Sequence, residues 1–136
     1  MKRAFLDTNI ILDFVTQRQG YEEACDILQL GEDNRAFLCV SILSMANTAY
    51  VARRGRTQDE LYGVMNGLAE LFEILKMDES QLKEALTINA TDFEDVLQYI
   101  CAISNNCDVI VTRNIKHFNF SKIPVLTPLE FIQQAR

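Results

Sequence analysis

The chain has 136 residues, 49% of them apolar, and a net charge of −6 from 13 basic and 19 acidic side chains. This length is typical of one domain with one hydrophobic core, so we predict a single domain over residues 1–136. No apolar stretch approaches the roughly 18 residues of a membrane span, and Asp7 interrupts the run after the basic N-terminus, which excludes a signal peptide. We therefore expect a cytoplasmic protein. The acidic balance argues against nucleic-acid binding by a broad basic face, but metal ions can supply positive charge locally.

The four cysteines form no CxxC pair, and the chain has a single histidine, His117. A zinc site needs a denser set of sulfur and nitrogen ligands. We expect reduced thiols, most of them buried in the core.

The first elements in chain order are a strand, two helices and a second strand. The apolar run 4–6 predicts a strand that ends at Asp7, where a helix begins. "GYEEACDILQLGE" has helical spacing and is predicted to end at Gly31. The run 36–40 predicts a strand, after which Ser41 caps the helix of "ILSMANTAYVARRG".

Three capping boxes mark later helix starts, since in each a threonine precedes a glutamate by three positions. They are Thr57-Gln-Asp-Glu60, Thr91-Asp-Phe-Glu94 and Thr127-Pro-Leu-Glu130. The first helix is predicted to run to about Leu71 and the second to about Asn105. A further helix should begin at Asp78 or Ser80 and end near Asn89.

Three more short apolar runs predict strands, at 72–76, 108–112 and 124–127. Strands that alternate with helices are typical of an open parallel sheet with helices on both faces. In such sheets, binding sites lie outside the carboxyl ends of the strands. Asp7 and Asn114 follow two of these strands, so we expect the site there.

Each polar residue near this edge also has a structural explanation. Asp7 can be a helix N-cap, and Asp13, further along that helix, is expected to be solvated. Glu94 can be the capping partner of Thr91. Asp95 borders the apolar run that follows it, where a half-buried carboxylate needs a cation or another partner.

The remaining polar residues have equally ordinary explanations. Asn47 can be a hydrogen-bonded amide on a helix, and Asn114 a turn residue. His117 is predicted to be an exposed loop residue without a partner. Oxygen ligands gathered at one sheet edge, with Arg113 and Lys116 beside them, nevertheless suit a hard cation such as Mg²⁺ or Mn²⁺.

Four motifs resemble those of PIN-domain proteins, in the same order and over essentially the whole chain. They are "FLDTNIILD", "VSILSMANTAYVARR", "DFEDVLQYICA" and "VIVTRNIKHF". The sequence is most similar to the VapC-like group of toxins from bacterial toxin–antitoxin pairs. The resemblance implies a three-layer α/β/α sandwich with about five parallel strands in the order 3-2-1-4-5.

The resemblance also implies an activity and its partners. Members of this group cleave single-stranded RNA with Mg²⁺ or Mn²⁺ held by an acidic cluster. They form homodimers, and an antitoxin protein inhibits them through a segment that enters the active-site groove. The catalytic and metal-ligating positions fall on Asp7, Asp95 and Asn114, with Glu94 and Asn47 as further metal ligands. The candidates for substrate contacts are Thr8, Asn9, Arg113 and Lys116.

Two positions depart from the family pattern, because Asn47 and Asn114 stand where acids are usual. Amide oxygens still bind hard cations, but each change removes a negative charge. Asp7 and Asp95 alone offer −2, which suits one divalent ion better than two. The sequence thus predicts a metal-dependent endoribonuclease toxin. The alternative is a PIN-fold protein with little or no cleavage that binds RNA or a regulatory partner.

Overall fold

A computed structural model describes residues 1–135 of the protein. Its sheet contains five strands: β1 (Arg3–Leu6), β2 (Phe37–Ser41), β3 (Glu73–Leu75), β4 (Val109–Val111) and β5 (Val125–Leu126). The strands lie in the order β3-β2-β1-β4-β5, and every neighbouring pair is parallel. The parallel sheet and its predicted strand order are therefore confirmed.

The helices fill the chain between the strands. They are α1 (Thr8–Val15), α2 (Tyr21–Glu32), α3 (Ile42–Ala52), α4 (Gln58–Leu71), α5 (Glu79–Ile88), α6 (Phe93–Ser104) and α7 (Pro128–Ala135). A 3₁₀ helix at Ile115–Phe118 follows β4, and the sequence patterns did not predict it. None of the helices in residues 1–135 has the length and apolar character needed to cross a membrane.

Two hydrophobic cores cover the two faces of the sheet, so the architecture is the predicted three-layer sandwich. Alternate residues of the central strand serve opposite faces, as the two-residue period of a strand requires. Leu6 packs with residues of α1, α2, α4 and α7, whereas Phe5 packs with residues of α5 and α6. The cysteines are free thiols, and Cys39, Cys101 and Cys107 are buried.

Two of the three predicted capping boxes are confirmed. In each, the threonine hydroxyl accepts the glutamate N–H at 3.2 Å, and the carboxylate accepts the threonine N–H. These boxes begin α4 at Thr57 and α7 at Thr127. Ser41 caps α3 as predicted, and Asp78 rather than Ser80 caps α5.

The third predicted box, at Thr91, is wrong. The N-cap of α6 is Asp92, whose carboxylate accepts the N–H of Asp95 at 3.3 Å. Aspartate caps helices as well as threonine does, and here it begins the helix one residue later. Glu94 is therefore free of the capping role that the sequence suggested.

The predicted end of α2 is wrong by one residue, because Gly31 lies inside the helix. Its backbone packs closely on β2. A Cβ at this position would lie 2.6 Å from Leu38 Cδ1 and 3.3 Å from Leu71 Cδ1. The glycine is thus required by contact between helix and sheet, not by a helix end.

We predict that Gly31→Ala lowers the free energy of unfolding by about 1–3 kcal/mol, because an added methyl group overpacks a closed core. Gly63→Ala is the matched control, since nothing lies within 4 Å of a Cβ there. That change should raise the free energy of unfolding by about 0.5–1 kcal/mol through helix propensity. Urea denaturation measures both. Equal effects of the two substitutions would contradict the close approach at Gly31.

Candidate active site

The carboxyl ends of β1 and β4 meet at Asp7. Its backbone N–H donates to Val111 O at 3.0 Å, which continues the ladder between the two strands. Its Oδ2 accepts a 2.8 Å hydrogen bond from the Thr112 hydroxyl, which in turn accepts the Asn114 N–H at 3.1 Å. Thr112 thus joins two of the predicted site residues.

Asp7 occupies the N-cap position of α1, but its side chain makes no capping hydrogen bond. The simple capping explanation is therefore wrong. The residue is 9% exposed. Burial raises the pKa of its carboxyl, and the Thr112 hydroxyl opposes that shift by stabilising the charged form.

Asp95, in the first turn of α6, is the second carboxylate of the site. Its Oδ2 is buried and receives no hydrogen bond from any residue in 1–135. Burial, followed by repulsion from Asp92 and Asp7, raises the pKa of Asp95 to about 6. Asp7 and Asp95 are thus close enough to repel each other. The sequence predicted that a half-buried carboxylate here needs a cation or another partner, and no hydrogen bond fills that role within residues 1–135.

His117 was predicted to have no partner, and this is wrong. Its Nδ1 lies 3.5 Å from Asp95 Oδ2, which makes an ion pair when the imidazole is protonated but is too long and poorly aligned for a hydrogen bond. The ring is exposed, as predicted. With Asp92, Asp95 and Lys116 it lines a cleft of about 510 Å³.

Asn47 and Glu94 pair across the gap between α3 and α6. Asn47 Nδ2 donates to Glu94 Oε1 at 3.0 Å. Within residues 1–135, no three Asp, Glu, His or Cys side chains converge closely enough to hold a metal ion. Glu94 therefore does not complete a three-acid group with Asp7 and Asp95.

A buried polar network beneath the carboxylates was not found from the sequence. The hydroxyls of Thr8 and Ser44 lie 2.6 Å apart, and Gln98 Nε2 donates to Ser44 Oγ at 2.9 Å. The network joins the first turns of α1 and α3 to the middle of α6. Gln98 inside the apolar run "VLQYICA" was the available signal, since a polar side chain on a buried helix face needs partners.

Asp13 was predicted to be solvated, and this too is wrong. It is 1% exposed and forms ion pairs with Arg18 Nε at 3.1 Å and Arg113 Nε at 2.8 Å. A side chain at Gly20 would collide with its Oδ2. Arg113 is thus held by Asp13, and the Asn9 side chain accepts a hydrogen bond from Arg18.

A sequence profile described as a PIN domain matches residues 3–116. The chain belongs to the PIN domain family. The profile spans β1 to β4, so it includes Asp7, Asp95 and Asn114 and ends just before His117.

Similar proteins align over nearly the full length of this PIN domain. Ribonuclease VapC1 of Aquifex aeolicus is 24% identical, and the alignment covers 98% of this chain and 95% of the relative. A chain in the crystal structure of VapBC2 from Rickettsia felis, bound to a promoter DNA fragment, is 18% identical with a TM-score of 0.67. The alignment covers 92% of this chain and 98% of that chain. A chain of a toxin–antitoxin complex from Klebsiella pneumoniae is 20% identical with a TM-score of 0.68. The alignment covers 92% of this chain and 97% of that chain. At these identities the solved structures establish the fold.

The oxygen atoms that this PIN domain presents at the sheet edge come from two carboxylates, Asp7 and Asp95, and from the exposed amide residue Asn114. Both carboxyls have raised pKa values, so the protein compensates their charged forms only in part. A cation or a proton at this edge would relieve the repulsion. The remaining acid, Glu94, is held by Asn47.

We predict that Asp95→Asn stabilises the metal-free protein at pH 7–8 but not at pH 4. The raised pKa means that the folded state binds the Asp95 proton more tightly than the unfolded state does. The contribution of Asp95 to stability is therefore greatest below pH 4 and is lost as the pH rises to about 6. The substitution removes that loss, by about 1 kcal/mol after allowance for solvent screening. Urea denaturation in EDTA at both pH values measures it. A gain of equal size at pH 4 would contradict the assignment.

Proposed function

We propose that this PIN domain is an endoribonuclease that cleaves single-stranded RNA with one bound Mg²⁺ or Mn²⁺ ion. We also propose that it acts in the cytoplasm as the toxin of a toxin–antitoxin pair. The supporting observation is the pair of carboxylates at one sheet edge: Asp7 is buried, and Asp95 has a buried Oδ2 that accepts no hydrogen bond within residues 1–135. The similarity to Ribonuclease VapC1 favours RNA as the substrate.

The residues present fit one cation better than two. Magnesium is usually bound by one or two carboxylates together with water and substrate phosphate, and two carboxylates are what the site offers. A pair of divalent ions would bring +4 against −2, and no third acid joins Asp7 and Asp95 within residues 1–135. The buried, unpartnered Oδ2 of Asp95 is the natural ligand atom.

We assign the chain's own residues the following work. Asp7 and Asp95 would hold the cation, with Asn114 at its edge. When bound, the ion neutralises charge that develops on the phosphate and acidifies the attacking water. Thr112 fixes the Asp7 carboxylate in place. Lys116, which lines the cleft beside Asp95, is placed to contact a substrate phosphate.

The proposed partners are an antitoxin protein and a second copy of the chain. Solved complexes of similar fold carry toxin–antitoxin descriptions, which favours the first. Exposed apolar side chains on α5 favour a homodimer, since Leu82 and Leu86 lie one turn apart and are 41% and 62% exposed. Light scattering on the purified chain measures the mass directly.

We predict that Mn²⁺ binds wild type at micromolar concentration, and that Asp7→Asn and Asp95→Asn each weaken it by at least about 100-fold. Cleavage of single-stranded RNA should be lost with them. Asp59→Asn, an exposed acid on α4, is the matched control and should change neither property. Calorimetry measures the affinity. Failure of wild type to bind at millimolar Mn²⁺ would contradict the proposed enzyme.

A second function is supported by the amide at position 47, which occupies Glu94 with a hydrogen bond. In that case the domain binds RNA or a regulatory protein without cleaving it. Expression in bacteria distinguishes the two functions. Growth arrest that Asp7→Asn abolishes supports the nuclease, whereas arrest that persists supports the binding protein.

We further predict that Asn47→Glu raises Mn²⁺ affinity by about tenfold, because it adds a carboxylate opposite Glu94 where only a cation relieves the repulsion. Ala46→Glu is the control, since this neighbouring residue of α3 is exposed and adds the same charge. If both substitutions raise affinity equally, the effect is general electrostatics and position 47 does not face the cation.

A further inference from the structure

A wide cleft lies where α1 and α3 end and α4 begins. Its volume is about 730 Å³, and Arg18, Arg54 and Arg56 are among the residues that line it. Three arginines in one cleft are a local concentration of positive charge in a chain whose net charge is −6. The function argued so far gives this cleft no role.

The arginines are engaged to different degrees. The Arg56 guanidinium donates to Ala52 O at 2.7 Å and to Val15 O at 2.9 Å, so it serves the ends of α3 and α1. Arg18 donates from Nε to Asp13 Oδ1 and from Nη2 to Asn9 Oδ1, both at 3.1 Å, which leaves its Nη1 without a partner within residues 1–135. Arg54 is exposed, and no hydrogen bond or ion pair holds its guanidinium within residues 1–135. The cleft therefore presents to solvent guanidinium N–H donors that no protein group accepts.

The acid in the cleft, Glu60, offsets one of the three positive charges. It belongs to the capping box of α4, where its Oε1 accepts the Thr57 N–H at 2.8 Å, and it interacts electrostatically with Arg56. The guanidinium of Arg54 and the remaining donors of Arg18 are left for an anion.

A chain of ion pairs through Asp13 links Arg18 of the cleft to the sheet edge. Its buried carboxylate holds Arg18 on one side and Arg113 on the other. Arg113 directly precedes Asn114, and Arg18 also donates to Asn9 Oδ1 at 3.1 Å, two residues after Asp7. A row of positive charge thus leads from the sheet edge through Arg18 to Arg54.

We propose that this arginine cleft binds the phosphodiester backbone of the single-stranded RNA on one side of the cleaved bond. Guanidinium groups match phosphate geometry, and non-specific single-strand binding follows positively charged grooves. The proposal rests on the proposed ribonuclease function. It gives that function a means of holding RNA that the acidic net charge otherwise opposes.

The test is RNA binding by fluorescence anisotropy in EDTA, with labelled single strands of about 4 and about 16 nucleotides. Arg18→Gln with Arg54→Gln should weaken binding of the longer strand about tenfold at about 0.15 M salt. The slope of log affinity against log salt should fall in magnitude by about 1.4, the value for two phosphate contacts. The shorter strand should bind wild type and variant alike.

Two further variants make the test specific. Arg54→Gln alone changes an exposed residue and breaks no hydrogen bond or ion pair within residues 1–135, so the fold should be unaffected and a loss of affinity reports on RNA contact. Arg53→Gln is the matched control, because its guanidinium lies 4.4 Å from the Tyr50 ring outside the cleft, and it should bind as wild type does.

The failures are distinguishable. Unchanged binding of the longer strand by the Arg18, Arg54 variant overturns this proposal and leaves the ribonuclease function standing, with an acidic protein segment as the next candidate occupant. No RNA binding by wild type, with or without Mn²⁺, overturns both. An equal loss in Arg53→Gln shows that total charge, not the cleft, governs binding.

Discussion

The burial of the Asp7 carboxylate at the end of the central strand is the constraint on which the site depends. β1 lies in the middle of the sheet, so its carboxyl end is surrounded by β2, β4 and the helices that follow them. A charge there has little access to water, and one hydroxyl, from Thr112, is its hydrogen-bonding partner from another strand. A cation or a proton would relieve the cost of burying this charge, which links the fold to the proposed chemistry.

The second carboxylate extends the same argument. Asp95 comes from a different helix, yet its pKa responds to Asp7. The buried hydroxyls and amide of Thr8, Ser44 and Gln98 connect the helices that carry or flank these acids. The protein thus uses polar contacts to position its acids and stabilises their negative charge only in part, which is the expected arrangement for a functional site.

Local patterns in the sequence predicted much of the fold. The capping boxes at Thr57 and Thr127 and the strand order agree with the structure, since the boxes depend on residues three positions apart and the order followed from family motifs. The failures at Asp13 and His117 share one cause in part. Arg113, which pairs with Asp13, and Asp95, which pairs with His117, are distant in the chain, and no periodicity reveals such pairs. Arg18, the second partner of Asp13, is only five residues away, and that local pair was overlooked. The prediction that α2 ends at Gly31 failed because a close approach of helix and sheet requires glycine just as a helix end often does.

The bond between Asp7 and Thr112 also has a consequence for synthesis. The two residues are 105 positions apart, so the first acid emerges from the ribosome long before the strand that fixes it. Contacts of such long sequence separation form late, because most of the chain must first be ordered. A nascent chain therefore has no assembled acidic site. If the mature domain cleaves RNA, the ribosome and the message that produce it are spared until translation of the chain is nearly complete.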